Sequence, residues 1–336
     1  MGLLGYVIRR ILLAVPVIFG VTLITFILSR AIVPDPARAW AGIRAAPGEV
    51  AALTAQYHLN APLYIQYFYY MRDLFTGNWG VTPSTGRSVI QDIGFFFPAT
   101  IELSLVALLI TTIIGIPLGV LAAIHYNKKL DHSIRIVYLT GFSSPPFFVA
   151  LVVLIVFGYV FKLLPTQGEL SSNLVPPSRI TGMYIVDSLL TGNWVDFMDS
   201  VAHVIMPATA LALTYFGIVT RITRASMLEV MKKDFIRAEF AKGLTKSKVI
   251  YKHALRNAMI PTVTILGLIL GSLLGGAIVI ETIFSWPGIG YYATQAIINL
   301  DFPSVMGVTL VFTLGVVLAN LIADIVYAIL DPRIKL

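Results

Sequence analysis

Six long apolar stretches constrain the fold of this chain more than any other feature of its sequence. The hydrocarbon core of a bilayer is about 30 Å thick, and about 20 apolar residues in an α-helix cross it. A helix also satisfies its own backbone polar groups, which lipid requires. The sequence therefore predicts an all-α polytopic membrane protein with six transmembrane helices. The predicted spans are 11–28, 101–124, 136–161, 204–219, 261–280 and 305–329.

The composition supports a membrane protein. Of the 336 residues, 57% are hydrophobic and only 12% are charged, whereas a soluble domain has about 25% charged residues. The chain has no cysteine, which excludes disulfides, thiolate metal sites and cysteine nucleophiles. The fourth span is short and contains Pro207, so a five-span fold competes with the six-span fold.

The first apolar stretch indicates a retained helix. Arg9 and Arg10 precede 18 uncharged residues, 11–28. A cleavable signal peptide needs a shorter apolar core and a small-residue cleavage site. We therefore expect a first transmembrane helix that also acts as a signal anchor.

The distribution of basic residues predicts the orientation. Cytoplasmic connections of membrane proteins carry an excess of Lys and Arg. With the N-terminus inside, 17 of the 24 basic residues fall in the predicted cytoplasmic pieces. Both termini are therefore predicted to be cytoplasmic, in agreement with an even number of spans.

The predicted organisation has three parts. Residues 1–31 form the N-terminal transmembrane helix, and residues 32–99 form an extracytoplasmic segment with short amphipathic helices. Residues 100–336 form a core of five transmembrane helices. Within this core, residues 164–203 are an outer loop and residues 221–260 are a cytoplasmic loop.

The sequence offers few reactive groups. There is no HExxH motif and no pair of histidines four residues apart, so neither a metal site nor a catalytic residue is predicted. The histidines are scattered at His58, His125, His132, His203 and His253.

Acidic residues within predicted spans are functional candidates because a charge in lipid is costly. Glu102 and Glu281 fall at the outer ends of their predicted helices, where a structural hydrogen bond is favoured. Asp324 lies nearer the inner end of the last span, on the same face as Asn320. None of the three acids is central, which argues against a proton- or ion-coupled transporter.

Prolines and glycines indicate where helices bend or approach closely. Pro145 and Pro146 lack backbone donors and should kink or delay the third helix, which makes them gate candidates. Glycines four residues apart let helices pack closely, and this predicts helix contacts rather than substrate contacts. These glycines are Gly115 and Gly119 in the second span and Gly267, Gly271 and Gly275 in the fifth.

A basic insert precedes the fifth span. Residues 221–256 contain ten Lys or Arg and three acids, a surplus of 7, which equals the +7 of the whole chain. The positive-inside rule alone would explain that charge. It does not explain the order of structural signals, which favours a docking function.

Those signals predict two helices with a break between them. "DFIRAEFA" can form a short helix, and Gly243 supplies a conformationally permissive break. Thr245 or Ser247 can cap a second helix that runs to Met259. Pro261 follows, where this helix is predicted to give way to the fifth span.

The insert resembles a known family. "RAEFAKG", residues 237–243, resembles the EAA loop of ABC-importer permeases, and "AKGL…VIYKHALRNAMIP" resembles the oligopeptide/dipeptide/nickel branch. The resemblance covers nearly the whole chain. Three further stretches that carry it are "TGRSVIQDIGFFFPATIELSL", "ITGMYIVDSLLTGNWVDFMDSVAHVIMPATALAL" and "ETIFSWPGIGYYATQAI", and the C-terminal "DIVYAILDPRIKL" is a fourth.

The resemblance implies a type I ABC-importer permease fold in the cytoplasmic membrane of a prokaryote. It implies a non-catalytic subunit that binds no cofactor, because ATP and Mg²⁺ belong to two cytoplasmic ATPase subunits. A second homologous permease, an extracytoplasmic substrate-binding protein and membrane lipid are the other implied partners; no nucleic acid is implied.

The resemblance also implies that the insert docks on an ATPase through a coupling helix. The matching residues are Arg237, Ala238, Glu239, Gly243 and Leu244. The general motif begins with Glu, whereas Arg237 stands at that position here. Which of Arg237 and Glu239 anchors the helix is left open by the sequence.

Three functions remain from the sequence. The favoured one is a peptide permease that works as a heterodimer with a second permease. An oligosaccharide importer is an alternative within the same family, since aromatic residues could stack on sugars. A stand-alone proton-coupled carrier is the alternative from another class. The aromatic residues in question are Trp40, Trp79, Trp194, Tyr69 and Tyr70.

Overall fold

The computed structural model describes residues 3–31, 35–41, 46–274 and 277–330, with the side chains of 3, 4, 6, 7, 31, 39, 41 and 322–330 outside the described part. These residues are mostly helical. The helices are α1 (Leu3–Ala31), α2 (Pro36–Ala41), α3 (Pro47–Gln56), α4 (Leu63–Phe75), α5 (Val89–Ile124), α6 (Lys129–Ser143), α7 (Pro146–Val153), α8 (Tyr184–Thr191), α9 (Trp194–Val230), α10 (Asp234–Ala241), α11 (Lys246–Lys248), α12 (Leu255–Leu274), α13 (Ile278–Ile283), α14 (Ile289–Ile298) and α15 (Phe302–Leu330). π-Helical turns extend α7 over Leu154–Val160 and join α11 to α12 over Val249–Ala254.

The predicted all-α membrane fold is confirmed. Five continuous helical segments of the described chain are long and apolar enough to cross a bilayer, namely α1, α5, α9, α15 and the joined α11–α12 helix. A sixth candidate span is the pair formed by α6 and α7 with its π-helical extension, which is bent by 107°. The cytoplasmic location of both termini stays a prediction.

The bend in the sixth candidate confirms the predicted effect of Pro145 and Pro146. Helix α6 ends at Ser143, and Ser144 has an extended backbone with ψ of 133°. Pro146 is the first residue of α7, where a proline ring fits because the N–H it lacks has no partner in a helix anyway. Two consecutive residues without donors thus divide the span instead of kinking it slightly.

The predicted short fourth span is wrong in length. Helix α9 runs over 37 residues and passes through Pro207 without ending. Pro207 is buried in this helix, and close packing on neighbouring helices compensates for the hydrogen bond that the proline removes.

The predicted helix boundary at Pro261 is also wrong. The helix that starts at Lys246 continues to Leu274 with Pro261 inside it. Ala258 and Thr262 on either side of this proline are fully buried, and Thr262 forms a 3.1 Å hydroxyl hydrogen bond with Thr223 of α9. Tertiary contacts therefore hold the helix together across a residue that weakens it locally.

Helices α5 and α9 form the centre of the fold, and glycines bring them together as predicted. A Cβ on Gly115 would lie 2.9 Å from Val219, and one on Gly119 would lie 2.6 Å from Thr223. Gly271 of α12 packs in the same way on Ala319 of α15. These positions serve helix packing.

Polar contacts fasten the segment before α5 to the start of α15. Asp301 accepts hydrogen bonds from Thr82 and, at 2.6 Å, from Ser84. Ser304 donates to Thr82 at 2.8 Å and accepts from Tyr292 at 2.7 Å. The segment that leads into α5 is thereby held against α14 and α15.

Candidate functional site

The insert places a short exposed helix at one end of the long helices. Helix α10 is reached from α9 through a three-residue turn and leads to α11 through Gly243. The backbone of Gly243 is left-handed, with φ of +76°, and its amide donates to the Phe240 carbonyl at 3.0 Å. Glycine adopts this conformation without strain, which explains why the helix ends here.

One side of α10 is anchored in a small apolar core. Ile236 is 1% exposed and packs with Val120 of α5, Met227 of α9 and Val249 and Ile250 of the π-helical turn. Leu244 is partly buried against the same cluster. Helix α10 is therefore packed against three of the long helices.

The other side of α10 is open. Phe235 and Phe240 are 39% and 42% exposed, and Arg237 and Ala238 are exposed between them. Exposed aromatic rings next to an arginine are typical of the central residues of protein–protein interfaces.

The structure distinguishes the two charged residues of the loop motif. The Glu239 side chain is 18% exposed and accepts a 3.0 Å hydrogen bond from the Lys242 ammonium. Lys242 lowers the pKa of the Glu239 carboxyl, and His253 adds to this effect. Arg237 is 77% exposed, and its contact with Asp234 is long, at 3.4 Å. Arg237 therefore points away from the protein, and Glu239 is engaged within the loop.

A buried ion pair joins α6 to α9, the helix that leads into this loop. The guanidinium of Arg224 in α9 donates two 2.7 Å hydrogen bonds to the two carboxylate oxygens of Asp131 in α6. The Asp131 side chain is fully buried and that of Arg224 is 15% exposed. The sequence alone does not reveal this pair because 93 positions separate its members; its only sequence signal is two opposite charges in apolar surroundings.

Glu281 lies in the short helix α13 and not at the end of the fifth span, which corrects the prediction. Its carboxylate is fully buried and accepts hydrogen bonds from Thr100 Oγ1 at 2.8 Å and from the backbone amides of Gly290 and Tyr291 at 2.7 and 3.0 Å. The Thr100 hydroxyl oxygen in turn accepts from the amide of Ile289 at 2.8 Å. This network joins α5, α13 and the start of α14.

Glu102 likewise lies well inside α5 rather than at its outer end, because α5 begins much earlier than predicted, at Val89. One carboxylate oxygen accepts a 3.1 Å hydrogen bond from the Ile185 amide of α8. The other is buried without a partner among the described residues. The side chain of Asp324, the third candidate acid, falls outside the described part of the chain.

Another buried acid, Glu169, lies near Glu102 and Glu281 and was not among the candidates predicted from the sequence. Glu169 is 8% exposed in the loop between α7 and α8, and one of its oxygens has no partner in the described chain. Burial raises the pKa of Glu169 well above its ordinary value, and the carboxyls of Glu102 and Glu281 add to the rise. A glutamate in a polar loop gives no sequence signal of such burial.

We expect Glu169→Gln to stabilise the protein at pH 8 and to have little effect at pH 4. A carboxyl whose pKa is raised on folding binds more protons when folded, so its contribution to stability is lost as the pH rises above the unfolded pKa of about 4.3. Glutamine mimics the protonated form. Thermal unfolding in detergent should show a gain in Tm of about 2–4 °C at pH 8. Glu229→Gln, at a site that is 75% exposed, is the control; an equal gain there, or none for Glu169→Gln, contradicts the assignment.

Comparison with known proteins agrees with this architecture. Membrane-spanning helices around a close-packed pair, with an exposed helical loop between two of them, define a multi-pass membrane protein. The chain belongs to the family described as the binding-protein-dependent transport system inner membrane component, whose sequence profile matches residues 115–336. The profile of the N-terminal part of such membrane components matches residues 3–104. The protein is therefore a multi-pass permease of the cytoplasmic membrane from the ABC-importer family.

Individual relatives cover nearly the whole chain. A probable D,D-dipeptide transport system permease protein of Escherichia coli (strain K12) is 45% identical over 318 residues, which are 95% of this chain and 94% of the relative. A dipeptide transport system permease protein of Alkalihalophilus pseudofirmus is 40% identical over 333 residues, 99% and 100% of the two chains. An oligopeptide transport system permease protein of Bacillus subtilis (strain 168) is 34% identical over 332 residues, 98% and 99%.

Proposed function

We propose that this chain forms half of the translocation pathway of an ATP-driven, binding-protein-dependent importer of dipeptides or oligopeptides. The observation that carries the proposal is the near-full-length similarity to permeases named for dipeptide and oligopeptide transport, at 34–45% identity. The exposed α10 loop is the structural feature that such a function requires. The substrate would pass between this chain and a second, homologous permease.

In this proposal the chain itself performs no chemistry. Two cytoplasmic ATPase subunits bind ATP and Mg²⁺, and an extracytoplasmic binding protein delivers the peptide. Helix α10 docks on one ATPase. Because Ile236 fixes α10 to the cluster formed with α5, α9 and the π-helical turn, a displacement of the ATPase is transmitted to the long helices.

Arg237 is the proposed anchor of the docked helix. Its side chain is 77% exposed and is free to meet a carboxylate on the ATPase, and arginine suits such contacts because its donors form a planar fork. Glu239 instead holds Lys242 and so shapes the turn that ends α10. The exposure of Arg237 and the engagement of Glu239 by Lys242 support Arg237 as the anchor.

We expect Arg237→Ala to weaken ATPase binding about tenfold or more, since charged pairs at interfaces contribute about 1.5–7 kcal/mol. Glu239→Gln keeps a hydrogen-bond acceptor for Lys242 and should change binding less than threefold. Both variants are compared by titrating the purified ATPase subunit onto the permease in nanodiscs. The reverse ranking of the two variants would assign the anchor to Glu239.

An oligosaccharide importer finds less support. Trp40 is only 2% exposed and is covered by Arg30, and Tyr69 is stacked on His58 with ring centroids 3.9 Å apart. Trp79 donates its indole N–H to the Leu74 carbonyl at 3.2 Å. Most of the aromatic residues that could stack on sugars are thus engaged within the protein, although Trp194 remains 61% exposed.

The proposed function is tested with the assembled transporter in proteoliposomes. The chain is co-purified with its second permease and ATPases, and the binding protein is supplied on the outer side. We expect uptake of a radiolabelled dipeptide that needs ATP at the ATPase side and the binding protein, with no uptake of labelled maltotriose. Uptake by this chain alone, driven by a proton gradient without nucleotide, would overturn the proposal in favour of a carrier.

A further inference from the structure

Helix α4 carries a row of exposed aromatic side chains. Tyr64, Phe68 and Phe75 are 75%, 68% and 86% exposed. Their spacing places them on one side of the helix, because about 3.6 residues make one turn. Contiguous apolar patches are rare on a protein surface that faces water, and they mark a place where something else covers the protein. The row therefore calls for a covering partner.

The opposite side of α4 packs on the rest of the protein. Gln66 is 6% exposed, accepts from Arg30 Nε at 3.0 Å and donates to two backbone carbonyls of the segment that precedes α4. Tyr69 stacks on His58 with ring centroids 3.9 Å apart. The aromatic row therefore faces away from the described part of the chain.

A third side of α4 rests on the candidate span α1. The Tyr67 hydroxyl forms a 3.0 Å hydrogen bond with the Thr22 hydroxyl, and its ring meets that of Phe19 edge-on, with centroids 5.7 Å apart. Tyr70 stacks on Phe26 with centroids 5.8 Å apart. These contacts fix the level of α4 along α1.

That level is the boundary of the bilayer. The candidate span covers Ile8–Arg30, and at 1.5 Å per residue Phe26 and Thr22 lie about 6 Å and 12 Å before its Arg30 end. Since half of the hydrocarbon core is about 15 Å thick, both residues lie in the leaflet at that end. A charged arginine avoids the hydrocarbon, so Arg30 marks the boundary, and Gln66, which is bonded to it, lies at the same level.

The charged side of α4 lies away from this leaflet. Arg72 follows Tyr67 by five residues, which is about 140° around a helix. Its side chain is 52% exposed, pairs with Asp73 at 2.8 Å and lies over the Tyr69 ring at 4.8 Å from the centroid. Tyr67 thus extends into the leaflet, Arg72 lies on the far side, and the aromatic row lies between them. Helices that lie in the plane of a membrane surface have this arrangement.

We propose that α4 lies in the membrane–water interface at the Arg30 end of α1, with Tyr64, Phe68 and Phe75 covered by phospholipid. Aromatic side chains are enriched at this depth because one part of the ring system prefers hydrocarbon and the other tolerates water. The row also continues a surface that already faces lipid, since Phe19 and Ile24 of α1 are 49% and 60% exposed. A protein that covered the row from solution would have to enter the leaflet.

The proposal is tested by spin labels on α4. The chain has no cysteine, so Phe68→Cys, Phe75→Cys and the control Arg72→Cys each provide a single labelling site. The full-length chain with its co-purified subunits is placed in nanodiscs of phosphatidylethanolamine and phosphatidylglycerol. Power-saturation EPR then compares collisions of each nitroxide label with oxygen, which dissolves in lipid, and with a water-soluble nickel chelate. Ile24→Cys, in α1, is the control for a label in lipid.

We expect the ratio of oxygen to nickel accessibility to be severalfold higher at Phe68→Cys and Phe75→Cys than at Arg72→Cys, and to approach that of Ile24→Cys. All four positions are exposed, so the packed sides of the helices stay intact. The label at Phe68→Cys decides the outcome. A ratio equal to that at Arg72→Cys would show that the row faces water. Low accessibility to both reagents would show that a protein covers it, and either result would overturn the proposal.

Discussion

Replacing Ala238 with aspartate should abolish ATP-driven uptake while leaving the protein folded in the membrane. Ala238 is exposed on α10 and takes no part in the cluster around Ile236. In the assembled transporter, docking would bury the new carboxylate without a partner. Such a charge costs about 2–5 kcal/mol at an interface, which corresponds to about 30- to 5,000-fold weaker binding.

The control for Ala238→Asp is Ser247→Asp. It adds the same charge to the same loop, but at the second residue of the helix that begins at Lys246, where a carboxylate is favourable because of the helix dipole. Co-purification of the ATPase subunits and dipeptide uptake are measured for both variants. Normal uptake by Ala238→Asp would show that α10 docks through another face, and equal loss in both variants would show a general effect of charge.

Local signals predicted the loop well because its structure is determined locally. "DFIRAEFA" forms α10 from Asp234 to Ala241, and the left-handed position is occupied by glycine. Thr245 lies at the N-cap position of the next helix, although its side chain makes no capping hydrogen bond. Each of these features depends on a few consecutive residues. Similarly, two prolines in sequence were enough to predict the break before α7.

Features that depend on contacts between distant residues could not be predicted from local sequence signals. The proline at 261 indicates a helix end, and only the burial of Ala258 and Thr262 against other helices explains why the helix continues. In the sequence, Glu169 is an ordinary loop residue, and only the fold places it near two other acids. A cavity lined by Arg30, Trp40 and Tyr70 is formed by residues from five helices, so it exists only in the folded chain.

The family-like "ETIFSWPGIG" stretch has a structural meaning that was also hidden in the sequence. Its first residue, Glu281, binds the amides of Gly290 and Tyr291, and its Trp286 donates to the Ala99 carbonyl of α5 at 2.9 Å. The stretch thus folds back on itself and on α5. Gly288 sits where this turn is most crowded.

Gly288→Ala should therefore destabilise the protein strongly. The backbone of Gly288 is extended, with φ of −92° and ψ of 179°, so alanine meets no backbone strain there. Its Cβ, however, would lie 2.5 Å from Thr100 Oγ1 and would also clash with the Glu281 carboxylate. Overpacking costs about 1–3 kcal/mol, and displacing Glu281 from its buried donors adds about 1–3 kcal/mol. We expect a fall in Tm of about 5–10 °C and a lower yield of folded protein.

The control is Gly94→Ala in α5, where a Cβ meets nothing within 4 Å and helix propensity favours alanine by about 1 kcal/mol. Its Tm should be unchanged or higher. Thr100→Ala in the Gly288→Ala background removes one of the clashing atoms, so the double variant should lose less stability than the two single changes added together. Full additivity, or an unchanged Tm for Gly288→Ala, would mean that Glu281 does not hold α13 and α14 to α5, because its carboxylate could then move aside at no cost.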